Sequence, residues 1–416
     1  MNTRISQKAR RTVLRLATGV APRRDDFDVS KAGVVKRLLI DVRELTPALS
    51  ARAAEMEASR RIPHDVVKLL KAIGAFRLFV PQSHGGLELD LPGGLSIITA
   101  LARVDGSVGW TVMIGNGGHL FAALLPRETY DRVYCGGRDT VIAGVSQPAG
   151  TAELAEGGWR VNGRWPFASG CLHADWMGGI CVMTEAGKRL AGPAGSKGPL
   201  LRGFFMPTVD WQIEDTWHAA GLKATASHHI AFRGKLVPAA NFFDLANGTP
   251  CLPGPLYQTV LEVLPLFVGG FSLGVARGAL DELLELAGTG RQQLNAATPM
   301  RESETFQYEL GRLAADLRAA EAYHQVMVAS HWDHALAGTL KDERRLVEAT
   351  QAGVWIATAC LRVVDACFAL AGGSAVYETS PLQRRLRDMH VAAQHATIQQ
   401  RHYAGAGKLL LHPSTR

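Results

Sequence analysis

The stretch GRWPFASG, residues 163–170, sets a tryptophan four residues ahead of a serine in a β-rich context. TWHAAGLKATASHHIAF, residues 216–232, and VPAANF, residues 237–242, follow it. Around them lie short apolar runs cut by glycine and proline: TVIAGVSQPAG (140–150), ADWMGGICVMT (174–184), LRGFFMPTVDWQIED (201–215) and HHIAFRGKLVP (228–238). This alternation of strand-like runs with turn residues predicts the strands of a compact sheet or barrel. The Gly-, Pro- and Lys-rich segment 185–199 reads as an exposed loop or hairpin.

Outward from this centre the period changes. Upstream, Val35, Leu38, Leu39, Val42 and Leu45 recur at helical steps, Pro63 stands where a helix begins, and Val66 to Ile73 continue an apolar stripe. Residues 92–104 and 110–125 read as two further helices. Downstream, long helices are expected over about 256–288, 303–337, 342–372 and 380–410. The order helices, strands, helices makes an α+β chain whose last part is a four-helix bundle. Expected boundaries are a basic arm at 1–24, a helical domain at 25–137, a middle β domain at 138–250 and a helical bundle at 251–416.

Charge narrows the function classes. Arg4, Lys8, Arg10, Arg11, Arg15, Arg23 and Arg24 are the only charged residues of the first 24, and the rest of the chain holds 38 basic and 38 acidic residues. The net charge of +7 therefore belongs to a short arm, which argues against a nucleic-acid-binding face. The arm reads as an amphipathic helix in preference to an export signal, because Arg15 interrupts its apolar stretch. The longest stretch free of Asp, Glu, Lys and Arg, 106–126, contains five glycines, Asn116 and His119. It reads as buried interior, so no membrane association is expected. Six cysteines without a C-x-x-C pair point to a reducing cytoplasm.

Common chemical motifs are missing. There is no P-loop, no G-x-G-x-x-G between strand and helix, no G-x-S-x-G and no H-E-x-x-H. His331-x-x-His334, with Asp333 and His324, lacks a fourth ligand in its segment, so no metal site is expected. LAGGSAVYETSPLQRRLRDMH (370–390) completes the informative set.

Taken in order, these segments resemble the acyl-CoA dehydrogenase superfamily across roughly residues 30–410. The resemblance implies a fold of N-terminal helices, a middle β-barrel or sheet, and a C-terminal four-helix bundle. It implies that Trp165 flanks a flavin ring and that Ser169 hydrogen-bonds near its N5 or O4. The T-W-x-x-x-G-L-x-x-T-x-S pattern matches at Trp217, Gly221, Thr225 and Ser227. Arg291 and Gln307 match positions that reach a neighbouring subunit's cofactor. Gly372, Gly373, Tyr377, Pro381, Arg384, Arg387 and Asp388 match the C-terminal motif. A homotetramer is expected. One departure stands out: Ala396 occupies the position at which dehydrogenases often carry their catalytic glutamate.

RDMHVAAQH, residues 387–395, is similar instead to the two-component flavin monooxygenases of this fold, the group of the 4-hydroxyphenylacetate 3-hydroxylase oxygenase component. That resemblance implies His119 as a contact to a phenolic substrate and Ser146 beside substrate or flavin. Ser169 would lie near N5, and His395 would support a flavin C4a-hydroperoxide. His390 is the rival to His395. Trp110, Phe121, Trp217 and Phe267 are expected to wall the pocket. Reduced FMN or FAD would come from a separate NAD(P)H:flavin reductase, with O2 as co-substrate. A histidine with a pKa near neutrality could protonate the peroxide, and an apolar pocket would keep it dry. A phenol- or indole-type ring is the expected substrate. An acyl-CoA dehydrogenase-like FAD enzyme and a monooxygenase acting on nitrogen or sulfur are the alternatives. A flavin-binding or assembly protein without activity has no need of all four polar residues.

Overall fold

A computed structural model describes residues 30–193, 198–258 and 261–412. The basic arm lies outside the described residues. Helices α1 (Lys31–Ala51), α2 (Ala53–Ser59) and α3 (His64–Ile73) come first. The expected stripe is realised, with Leu38, Val42, Leu45 and Leu49 buried on α1. Pro63 caps α3, and Gly74 ends it in the left-handed region at φ +86°.

Helices α4 (Leu91–Val104) and α5 (Gly106–Ala122) meet at Asp105. This residue ends α4 and caps α5, its carboxylate accepting the Val108 N–H at 3.0 Å. α5 is buried on nearly every side, which accounts for the charge-free stretch around it. The short helix α6 (Arg127–Val133) leads to the sheet.

The strands are β1 (Ile142–Ala155), β2 (Gly158–Ala168), β3 (Trp176–Glu185), β4 (Lys188–Arg189), β5 (Leu201–Pro207), β6 (Gln212–Glu214), β7 (His228–Val237) and β8 (Phe242–Phe243). Their order is β6-β7-β2-β1-β3-β5-β8, with β4 beside β3. Every pairing is antiparallel except β1 with β3, so the sheet is mixed. One face carries a core of its own around Trp165, Phe204, Trp211 and Phe232. From the other, Ile180, Phe205 and Phe243 join the large core shared with the helices.

Helices α7 (Val263–Gly288), α8 (Glu304–Ala337) and α9 (Glu343–Ala371) follow the expected periodicity. α7 and the segment Glu343–Val376 are long and apolar enough to cross a bilayer by length and composition. α7 is the centre of the bundle, packed by α4, α8 and α9, with 89% of its apolar window buried.

The last expected helix is not continuous. α10 (Pro381–Ala392) stops, two single 3-10 turns follow, and α11 (Tyr403–Leu411) resumes. At the break His395 is extended (φ −63°, ψ 136°), and its ring accepts the N–H of Thr397. A side chain that bonds its own backbone two residues on competes with helix at that point.

Candidate functional site

A cavity of about 600 Å³ lies where α5, the sheet, α7 and the break after α10 meet. Its walls are largely apolar, with Met113, Ile114 and Phe121 from α5, Phe205 and Phe243 from the sheet, and Leu264, Phe267 and Val268 from α7. Among the described residues no Asp or Glu lines it, whereas Arg387 does. Phe267 is buried and stacks on Phe79 at 5.6 Å between centroids. Trp110 meets Phe271 and the ring of His395 edge-on, at 5.0 and 5.5 Å.

Ser169, Trp217 and Ser227 all face this cavity, so the two sequence segments on either side of residue 200 come together. Trp110 Nε1–H donates to Ser169 Oγ at 3.0 Å, and Ser169 and Ser227 hydroxyls lie 2.7 Å apart. Thr225 is buried behind them, 2.7 Å from Ser227 Oγ. It does not line the cavity but holds the hydroxyl that does.

The loop bearing these groups is tied to α10. Asp388 Oδ1 accepts the Leu222 N–H at 2.6 Å, and Arg387 donates to the Ala220 carbonyl and pairs with Glu57. Burial, reinforced by the charge of Asp105, pushes the Asp388 carboxyl up to about 7. A Cβ on Gly221 would sit 2.2 Å from the Arg387 carbonyl oxygen, so only glycine allows this approach. The two motifs singled out in sequence are thus one joint.

Trp165 lies elsewhere than expected. Its side chain is fully buried in the sheet's own core, with Nε1–H donating to the Ile180 carbonyl at 2.9 Å. It fills a slot floored by Gly150, Gly163 and Gly179. The aromatic that reaches the cavity is Phe167, 62% exposed and at φ +67°. The β2–β7 register slips between Trp165 and Ala168, and this bulge turns Phe167 away from the face that alternation assigns it. Pro166 inside the strand was the available sign of a bulge.

His119 also lies elsewhere than the resemblance implies. It is completely buried outside the cavity lining, with Nδ1 2.6 Å from Tyr134 Oη and Nε2 2.7 Å from the Phe76 carbonyl. The Nε2–H donates to that carbonyl, and Nδ1 accepts from the tyrosine. Both nitrogens are thus used within the protein, away from the cavity. Burial holds its pKa at about 4.

His395 does line the cavity. Its Nδ1 accepts the Thr397 N–H and lies 2.8 Å from Thr397 Oγ1, so Nε2 carries the proton. Nε2 has no hydrogen-bond partner among the described residues. Burial lowers its pKa to about 4. The group is a neutral donor at neutral pH, not the near-neutral acid expected. The rival His390 lines the same cavity, with its Nε2 engaged by Asp365 at 2.8 Å. Ser146, exposed on β1, faces the same space. Ala396, at the position where dehydrogenases often carry their glutamate, is part of the wall.

Arg291, Gln307, Gly372 and Gly373 are not part of the lining. They gather near one another instead. The 291–293 loop reaches the end of α9 through Gln293 Nε2 on the Leu370 carbonyl at 2.9 Å, and Gln307 bonds the Arg301 carbonyl at 2.8 Å. Among the described residues no three His, Cys, Asp or Glu side chains gather as a metal site would need.

This fold and this apolar, hydroxyl-edged cavity define a flavoprotein architecture of the dehydrogenase type. Its chemistry fits an isoalloxazine: aromatic flanks at Phe167 and Trp217, and hydroxyls at Ser169 and Ser227. Family models for the acyl-CoA dehydrogenase N-terminal and C-terminal domains match residues 40–125 and 266–400. Indole-3-acetate monooxygenase from Pseudomonas putida is 32% identical, covering 86% of this chain and 90% of that protein. The oxygenase subunit of a flavin-dependent monooxygenase from Rhodococcus jostii is 28% identical over 85% of this chain and 92% of its own. Among solved structures, XiaF from Streptomyces sp., in complex with FADH2 and glycerol, superposes with a TM-score of 0.83 at 26% identity, covering 91% and 96% of the two chains. The chain belongs to the acyl-CoA dehydrogenase family, among its flavin-dependent monooxygenases.

Proposed function

We propose that this chain is the oxygenase component of a two-component system that hydroxylates an indole- or phenol-type aromatic ring. The observation that carries the reading is one apolar cavity presenting both the Ser169–Ser227 pair and the free Nε2–H of His395. A separate NAD(P)H-dependent reductase supplies reduced FMN or FAD. When bound, the reduced flavin supplies two electrons, so that one oxygen atom of O2 enters the substrate and the other leaves as water.

The chain's own residues divide the remaining work. Phe167 and Trp217 flank the flavin ring, and Ser169 and Ser227 meet its polar edge, with Thr225 behind them. Trp110, Phe267 and the apolar walls hold the aromatic substrate and exclude water. Ser146 orients the substrate's O–H or N–H, and His395 donates a hydrogen bond to developing negative charge. His119 and Trp165 are structural in this reading. Arg291, Gln307, Gly372 and Gly373, gathered off the cavity, serve a neighbouring subunit's cofactor in a homotetramer. A helical, β and helical division near residues 137 and 250 follows the architecture. A cytoplasmic setting accords with six unpaired cysteines.

The test mixes the protein with photoreduced FAD or FMN, then with oxygen and indole, indole-3-acetate or a phenol. A product carrying label from 18O2, with hydrogen peroxide release suppressed, is expected. Peroxide alone across this panel, together with bleaching of oxidised FAD by an acyl-CoA thioester, would move the assignment to a dehydrogenase. Oxygenation only at nitrogen or sulfur of non-phenolic compounds would overturn the substrate class.

A further inference from the structure

Along α5 the residues Trp110, Met113, Ile114, Gly117, Gly118 and Phe121 line the cavity, at the three- and four-residue steps of one helix face. Trp110 holds the polar edge at one end of this stripe, bonding Ser169 and meeting the His395 ring. Met113 is the next residue along it. Long helical side chains lean over the turn before them, which for Met113 is the turn of Trp110. One turn beyond, Gly117 leaves room: a Cβ built on it would meet only Phe267 Cε2, at 3.8 Å. A ring seated in that gap against Phe267 lies beside the Met113 side chain.

The chemistry of sulfur gives this placement a consequence. Among the described residues Met113 is the one methionine or cysteine in the lining. It is buried, whereas Met206 and Met327 are partly exposed. A thioether takes up one oxygen atom to become a sulfoxide, and no proton has to leave it. From this we infer that Met113 is a self-oxygenation site: when no ring fills the cavity, the oxygen atom meant for the substrate passes to its sulfur. The inference rests on the function proposed above. The O–O bond breaks and an S–O bond forms. The sulfur gives two electrons, the reduced flavin gives two electrons and two protons, and the second oxygen atom leaves as water. The sulfoxide sets a polar group in an apolar wall, so it weakens binding of the next ring and turnover without substrate closes the site down.

The test takes the wild type through cycles of flavin photoreduction and 18O2, with catalase and without a ring, and maps oxygen by peptide mass spectrometry. Sulfoxide carrying 18O is expected at Met113 ahead of Met206 and Met327. Hydrogen peroxide added to the flavin-free protein is expected to give the reverse order, because it reaches the partly exposed thioethers first. Indole at about ten times its Kd leaves roughly a tenth of the sites empty, so label at Met113 is expected to fall about tenfold. The treated wild type is expected to bind indole more weakly than before treatment. Met113→Leu, close in volume and without sulfur, is expected to keep its own starting affinity. An unlabelled Met113, label that catalase removes, or label indifferent to indole overturns the inference. If 18O still enters an indole or a phenol, the proposed function stands without it. Label in neither Met113 nor any ring overturns both.

Discussion

The two ring nitrogens of His395 have different duties. Nδ1 is held by Thr397, and that contact fixes the tautomer that puts Nε2–H on the cavity side. Removing the ring by His395→Ala is expected to cut coupling of reduced flavin to product by about tenfold or more, with peroxide released instead. His390→Ala is expected to stay within about twofold, because its Nε2 belongs to Asp365. Paired measurements of product and peroxide check this, and equal losses in the two variants would sink the assignment. The sequence register favoured His395 over His390; both line the cavity, and they differ in that the Nε2 of His390 is engaged by Asp365. It did not show that His119 would be buried off the cavity with both ring nitrogens bonded. The partners that satisfy it, the Phe76 carbonyl and Tyr134, lie 43 and 15 positions away, beyond any local pattern.

Strand β2 shows how one element can serve two sides of a sheet. Its Trp165 fills a glycine-floored slot in the sheet core, and the bulge that follows delivers Phe167 to the cavity. A Cβ at Gly150 would lie 2.1 Å from Trp165 Cζ2. Alanine in an ordinary strand position is neutral or mildly stabilising relative to glycine. Here Gly150→Ala is expected to destabilise by about 1–3 kcal/mol through overpacking. Urea denaturation reads it, and a midpoint equal to or above wild type contradicts the slot. Long helices were legible because burial on one face repeats along them, as on α1 and α9. Alternation failed at residues 165–167 because a bulge resets the period of two, and the helix expected over 380–410 failed where His395 turned to its own backbone. The joint between Asp388 and Leu222 was visible only as two separate motifs.

Across the molecule, burial has left histidines neutral well inside the physiological range. His119, His173, His331 and His395 are each held down at about 4 by desolvation. The unfolded chain binds their protons below about 6.5 while the native one does not, so stability falls as pH drops from about 6.5 towards 4. Burial also lowers His228, His229 and His324, so the raised acids Asp388 (about 7), Asp41 (about 6), Glu262 and Glu282, which pull the opposite way, are outnumbered. The urea midpoint is expected to decline steadily between pH 6.5 and 4.5, and a rising midpoint would contradict this balance. The helical and β thirds of the chain were readable from its period, whereas the position of the cavity was not, since it depends on four separated segments meeting. One of these, the interruption between α10 and α11, differs from the rest in having no ladder of its own to defend. Replacements, insertions or deletions there meet less resistance than in α5 or α7. With His395 and Thr397 kept, natural variation in the range of compounds accepted by this architecture is therefore expected to accumulate at the other residues of 393–402, and a library built for new substrates should begin with them.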